Sequence, residues 1–401
     1  MSSRAIVALA LTAFAVGTSE LVIAGLLPTL ATDLEVDIPT AGGLITTYAL
    51  GVAIGGPILA LLTTSVQRKR LILILVGVFI VGQVLCAIAP NYWSLLIGRL
   101  VSSSSHGLFF GVANVIAINL VAENRRGSAI AAIAGGVTIA NLLGAPLGTA
   151  IGNAIGWRLV FVIIAALSVA AVVTMAVLLP RQENDAKPSR IVDDLAPLGR
   201  QGVYMSFVMI AAAVAGYFVL FSYLAPLLIN VTKVSLSHVP IVLFVAGVGG
   251  AIGTFLGGRL GDWKPMPSLV ASFALTAICY VLITVALHDA VFLSVVLFAL
   301  TIIAWAFVAP VQTRIFKWAS DAPNFISTLT GTAFNVGIAA GAFLGGLALT
   351  QGWGYERLPW ISAACVLIAL FAALVSWSIE LRTRTIAAGI CPTHGSGVKR
   401  R

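Results

Sequence analysis

The sequence predicts an all-α membrane protein of twelve transmembrane helices arranged as two pseudo-symmetric six-helix bundles, and three observations predict it. The composition is 60% hydrophobic and only 9% charged, with a mean hydropathy of +1.06, whereas soluble chains carry about 25% charged residues. The apolar residues fall in long unbroken runs, not in the short alternating segments of a barrel, and a helix satisfies its own backbone in lipid. Sliding the chain against itself also gives a faint internal repeat.

In chain order, the first set of runs covers 5–30, 40–64, 71–90, 93–120, 128–153 and 158–179. The second covers 204–229, 239–260, 268–287, 290–312, 325–349 and 358–380. Each is long enough for a span of about 20 residues. The first run carries Glu20 inside it, is too long for a signal h-region and lacks a clear cleavage site, so it reads as a span. Between the sets lies RQENDAKPSRIVDDLAPLGR at 181–200, charged and Pro-containing. The chain thus divides into an N-terminal bundle at 1–180, a cytoplasmic linker at 181–203 and a C-terminal bundle at 204–384. A basic, Gly-containing tail at 385–401 reads as disordered.

The net charge of +9 is a topology signal and not a nucleic-acid footprint. With the N-terminus inside, 19 of the 23 Lys and Arg residues fall on cytoplasmic segments, among them Arg68, Lys69, Arg70, Arg125, Arg126, Arg259, Lys264, Arg314 and Lys317. Arg158, Lys233 and Arg357 fall outside, and Arg99 falls within a span. The positive-inside rule therefore places both termini in the cytoplasm and the chain in a cell (inner) membrane as a multi-pass protein. Cys86, Cys279 and Cys365 lie in spans and Cys391 in the tail, with no C-x-x-C, so neither a disulfide framework nor a metal site is expected.

At an offset of 198 residues, Pro28 falls on Pro226, Ala53-Ile54-Gly55 on Ala251-Ile252-Gly253, Glu123 on Asp321 and Asn114 on Gln312. At 194, Asn141 falls on Asn335. Each coincidence is weak in so apolar a chain, but their shared span order suggests a parallel six-plus-six duplication.

Few ionisable groups remain inside the spans. A charge at mid-membrane costs about 2.5–3.5 kcal/mol on insertion scales, so it persists where it meets a partner or a watery cavity. Glu20, in GTSELVIAG, is the candidate proton carrier: a carboxyl whose surroundings alternate between water and low dielectric can load on one side and unload on the other. A structural hydrogen bond to a neighbouring span is the alternative. His106 suits proton work by its ordinary chemistry, and equally suits a helix-to-helix hydrogen bond. Arg99 keeps its charge and would bias a nearby acid or hold carbonyls, unless it snorkels to the near surface.

Uncharged polar residues Asn114, Asn141, Gln312 and Asn335 can line the same cavity or glue helices together. Tyr48, Phe109, Phe110, Tyr217, Tyr223 and Trp305 can form an aromatic wall for an apolar ligand, or pack and face lipid. Gly144, Pro146 and Gly148 in span five, with Gly341 and Gly345-Gly346 in span eleven, give seams along which helices approach or slide. The chain carries no Walker A sequence, HExxH, G-x-S-x-G or dinucleotide fingerprint, so it reads as a non-enzyme without a cofactor, driven by an ion gradient or by its substrate's own gradient.

Over roughly residues 5–380 the chain resembles the drug–proton antiporter branch of the major facilitator superfamily, especially its bacterial arabinose-efflux and chloramphenicol-resistance transporters. The likeness rests on GTSELVIAGLLPTLATDL at 17–34, GRLVSSSSHGLFFG at 98–111, GGVTIANLLGAPLG at 135–148, SYLAP at 222–226 and AFNVGIAAG at 333–341. The fifth-span Gly-Pro pair appears loosened to Gly144-Ala145-Pro146. The loop motif after span two lacks the family's Asp, reading GGPILALLTTSVQRKR, while GGRLGDW at 257–263 keeps Asp262.

The resemblance implies the major facilitator fold, with Glu20 and Arg99 as proton-coupling residues and Asp262 as a gating residue. It implies proton-coupled efflux of a small, moderately hydrophobic compound such as chloramphenicol, by a protein read as a monomer. A sugar or metabolite exporter or facilitator of the same fold, without coupling at Glu20, is the alternative. The expected partners are the small-molecule substrate, protons and the lipid bilayer, and no nucleic acid.

Overall fold

The computed structural model describes residues 2–63, 65–180, 199–319 and 323–389. Twelve helices within them are long and apolar enough to cross a membrane. They are α1 (Ser3–Asp33), α2 (Ile38–Leu62), α3 (Arg68–Ala87), α4 (Tyr92–Asn119), α5 (Glu123–Ala154), α6 (Trp157–Leu178), α7 (Gln201–Asn230), α8 (Leu236–Trp263), α9 (Pro265–Ala286), α10 (Ala290–Trp318), α11 (Thr328–Thr350) and α12 (Tyr355–Arg382). Most of the predicted 181–203 linker, the tail beyond Gly389, and Asp321, matched above to Glu123, lie outside the described residues.

The boundaries differ from the sequence reading where proline and hydrogen bonding decide them. A proline removes one backbone bond and its ring crowds the carbonyl four residues earlier. Pro226 crowds Ser222, and α7 breaks between Phe221 and Leu224. Pro310 crowds Ala306, and α10 breaks between Trp305 and Val308 before continuing to Trp318, beyond the predicted end at 312. In α5 the same strain is absorbed without a break: Ala140–Gly144 forms a π-helical turn ahead of Pro146.

Packing repeats between the halves. In the first, α1 packs on α5 and α6, α3 on α4 and α6, and α2 on α4. In the second, α7 packs on α11 and α12, α9 on α10 and α12, and α8 on α10. These are the same five pairings six helices further on, so the pseudo-symmetry is visible in which helices touch. Glycines make equivalent approaches possible. A Cβ at Gly136 would stand 2.3 Å from the Ala10 carbonyl oxygen, across α5 and α1, and one at Gly341 would stand 2.4 Å from that of Ala215, across α11 and α7. Lipid offers apolar side chains as good a medium as the protein does, so close backbone approach and dispersion supply much of the adhesion.

For orientation, the end of the bundle bearing Arg68, Arg126, Arg259 and Lys264 is here the basic face. The halves meet toward the opposite face. There α2 packs on α11, and Tyr223 of α7 fills the space between Gly42 of α2 and Gly345-Gly346 of α11, its hydroxyl donating to the Ala342 carbonyl at 2.9 Å. Likewise α8 packs on the Ala140–Ala154 stretch of α5, the part farther from the basic face. The seam contacts named here lie toward the opposite face.

Gly107 of α4 leaves no room for growth, since a Cβ there would lie 2.6 Å from the Val52 carbonyl oxygen and 2.8 Å from the Gly56 Cα. Gly107→Ala is expected to destabilise the α2–α4 seam by about 1–3 kcal/mol. Thermal melting of the purified protein in detergent checks this, and an unchanged midpoint would show that the seam yields freely.

Candidate functional site

The first half encloses a polar knot at the level of α4's second turn. Asn91 and Ser94 form a reciprocal cap at the start of α4, with Asn91 Oδ1 accepting from the Ser94 N–H at 3.0 Å. That start carries Arg99 into the bundle. The following serines bond back onto their own helix: Ser102 donates to the Gly98 carbonyl, Ser103 to that of Leu100, Ser104 to that of Val101 and Ser105 to that of Ser102. The run GRLVSSSSHG thus presents a slim helix surface whose hydroxyls satisfy themselves, which lets α2 and α3 come close.

Arg99 is 0% exposed, and does not snorkel. Its Nη1 donates to the Ser19 carbonyl at 2.7 Å and to Ser19 Oγ at 3.1 Å. Ser19 is tied in turn to Gln83 of α3, whose Nε2 donates to Ser19 Oγ at 3.0 Å. The guanidinium lies over the Tyr48 ring, 3.8 Å from its centroid, a stacking contact that strengthens as water is excluded. The Tyr48 hydroxyl meets His106 Nδ1 at 3.1 Å, and the His106 ring leans on Phe110 at 5.3 Å. One continuous chain therefore runs Gln83, Ser19, Arg99, Tyr48, His106, Phe110 through α1 to α4.

Glu20 stands beside this chain, partly exposed, with its Oε1 buried and without a hydrogen-bond partner. It makes no ion pair with Arg99 within 4 Å among the described residues, though each charge acts on the other. Arg99 Nε and Nη2 are also buried without partners. Two unpaired donors and one unpaired acceptor therefore lie around a permanent buried cation, the arrangement in which a missing partner costs most.

The remaining predicted residues fall into three groups. Asn141 of α5 and Trp305 of α10 flank Gly250 of α8, and Tyr217 of α7 meets Trp305 edge-on at 5.6 Å and stacks on Phe221 at 5.2 Å. This cluster joins residues of both halves at the level of the α5 π-turn. Asn114 and Asn335 each keep a buried side-chain oxygen without a partner, Asn335 donating only to the Gly331 carbonyl of its own helix, and Gln312 is half-buried on α10. Phe109 packs edge-on to Phe110 at 5.2 Å inside the first half. Gly144, Pro146 and Gly148 are buried, with Gly144 against Thr18 and Gly148 against Val22 of α1. Tyr223 lies in the closed seam of the opposite face and not along the Asn141–Trp305 cluster. Asp262 is exposed and makes no ion pair among the described residues.

Two features escaped the sequence reading. Ser19 and Gln83 are uncharged, and the only available signal was an amide within the apolar run VGQVLC. Arg314, counted above with the loop charges, is 4% exposed and ties four helices together. It pairs with Glu380 of α12 and donates to Ser376 Oγ of α12 at 2.6 Å, Ser206 Oγ of α7 at 3.1 Å and Met266 Sδ of α9 at 2.8 Å.

Two six-helix halves with the same pairings define a polytopic membrane protein built on a repeat. The sequence matches the family pattern described as Major Facilitator Superfamily over residues 9–319. It is 34% identical over 382 residues to the inner membrane transport protein YdhP of Escherichia coli (strain K12), covering 95% of this chain and 98% of that one. It is 32% identical over 372 residues to a protein of Helicobacter pylori (strain P12) named "Probable sugar efflux transporter", covering 90% and 92%. In fold it resembles, with a TM-score of 0.71 and 19% identity over 94% of this chain and 96% of the other, the crystal structure of a bacterial homolog to the human lysosomal transporter Spinster in an inward-facing, occupied conformation. The chain belongs to the Major Facilitator Superfamily and is a multi-pass membrane transporter.

If Gln83 holds Ser19 against Arg99, Ser19→Ala and Gln83→Leu each cost about 1–2 kcal/mol, and the double variant costs less than their sum by about 1 kcal/mol. Melting or denaturant unfolding in detergent measures this, and strict additivity would show that the contact carries no energy.

Proposed function

We propose that the protein exports a small, moderately hydrophobic compound in exchange for protons, working as a monomer in the inner membrane. The basic face is the cytoplasmic one, by the distribution of Lys and Arg. In this reading the described conformation opens to the cytoplasm. The halves at 1–180 and 204–384 rock about their shared seam, with Asp262 at the cytoplasmic gate and the Gly144–Pro146–Gly148 stretch at the hinge. The observation that carries the proposal is the partly exposed Glu20, unpaired on its buried oxygen, beside the fully buried and incompletely paired Arg99.

A fixed cation next to a carboxyl gives two states of different charge. With Glu20 ionised the pair is neutral overall, and with Glu20 protonated the knot is a bare cation. Proton loading therefore changes the electrostatic cost of the knot and can bias which way the halves rock, which is what exchange requires. His106 and Tyr48 connect the knot onward along α4 and α2.

The substrate would lie near Tyr217, Trp305 and Asn141, where both halves contribute, with Asn114, Gln312 and Asn335 along the same path. Aromatic faces and a few amides suit a drug-like molecule such as chloramphenicol. The Helicobacter relatives' name supports a second reading, a sugar or metabolite exporter, because ring faces and amides also suit a sugar.

Glu20→Gln is expected to reach the membrane at normal levels and to lose pH-driven efflux by at least about tenfold, the amide being unable to carry a proton. Accumulation by everted vesicles under an imposed pH gradient, with substrates drawn from a growth-inhibition panel in a pump-deficient host, measures it. Full proton-coupled transport by the variant overturns the assignment.

A further inference from the structure

Beneath the Arg314 cluster, at the basic face of the second half, α7, α8, α9, α10 and α12 enclose a cavity of about 550 Å³. Arg314 forms part of its wall, but its guanidinium is already engaged by Glu380, Ser376, Ser206 and Met266, so it contributes structure and long-range charge, not a free donor. The other cations lining the cavity among the described residues are Lys264 at the α8–α9 corner and Lys317 in the last turn of α10, both exposed. Glu380 is the only carboxylate lining it among the described residues, and it is paired. Three indoles complete the wall: Trp263, 70% exposed and beneath the Lys264 ammonium at 5.0 Å, with Trp318 and Trp377.

This lining recognises one kind of ligand. Two exposed ammonium groups with no ion-pair partner among the described residues, beside an acid that is already paired, favour an anion. Exposed indoles beside apolar Pro265, Pro267 and Leu381 favour a body that is partly apolar and sits at the membrane–water boundary. Basic pockets between helix ends at this depth suit anionic headgroups, each Lys near the surface adding to the attraction.

We propose that this cavity is a binding site for the phosphate headgroup of an anionic phospholipid of the cytoplasmic leaflet, seated between Lys264 and Lys317. It rests on the proposed orientation only in naming the leaflet, and not on Glu20 or on proton coupling. A lipid held there bridges the ends of α8 and α10, two helices that also carry Gly250 and Trp305 of the central cluster, so its occupancy couples leaflet composition to the rocking half.

The test uses the full chain in detergent and in nanodiscs. Native mass spectrometry compares retention of phosphatidylglycerol with that of phosphatidylcholine, for the unaltered protein and for the K264Q/K317Q double variant. The expected result is preferential retention of phosphatidylglycerol that falls about tenfold in the variant. Both lysines are exposed, and circular dichroism of the variant confirms that it folds. A second arm adds glycerol 1-phosphate and inorganic phosphate and reads the melting midpoint. If these soluble anions stabilise the protein through the same lysines while phosphatidylglycerol shows no preference, the site serves a soluble phosphate and the lipid assignment fails. Equal retention by the variant, or no preference between the two lipids, also overturns it. Loss of lipid preference with pH-driven efflux intact would leave the export reading standing, and the reverse result would leave the lipid site standing.

Discussion

The function proposed above turns on a guanidinium buried where it has too few partners. Arg99 is fully enclosed by α1 to α4, holds one carbonyl and one hydroxyl of Ser19, rests on the Tyr48 ring, and leaves two nitrogens unpaired. A membrane protein gains nothing in stability from such a group, because desolvating a charge costs more than two hydrogen bonds and one ring contact return. It is tolerated because Glu20 stands within electrostatic reach, with one oxygen also unpaired.

The two halves spend their buried cations differently. The first half keeps its cation on the opposite-face side of α4, loosely paired. The second keeps Arg314 at the basic end of α10 and satisfies it with an ion pair, two hydroxyls and a thioether. One bundle is therefore electrostatically restless and the other pinned, although the helices pair identically in both. Pseudo-symmetry therefore holds for the helix pairings and not for the surroundings of the buried cations. The seam between the bundles is tightly filled: Tyr223 sits between glycines of α2 and α11, with no room for a larger residue at any of them.

Much of the fold was legible in the sequence because span depth depends on hydropathy alone. The twelve runs, the central division and the ionisable trio Glu20, Arg99 and His106 all follow from counting apolar lengths and noting what interrupts them. Rotation about each helix axis was not legible. Gln83 reads as one amide in an apolar run until the axis of α3 turns it onto Ser19. Arg314 reads as a loop charge until α10 continues past Pro310 and buries it against α12. Tyr223 reads as an aromatic like any other until α7 breaks before Pro226 and places it in the seam. The serines of α4 invite a polar-cavity reading, yet they bond to their own helix, a choice set by local backbone geometry that composition does not report.

The central claim is that the Glu20 carboxyl, set against a permanent buried cation, exchanges its proton with water. Infrared difference spectroscopy of the purified protein, with Glu20→Gln as the reference, isolates the carbonyl stretch of that one carboxyl. The account predicts a band that shifts when the sample is moved into heavy water and that titrates away as pH is raised. A band that never appears, or one that ignores heavy water, would contradict it.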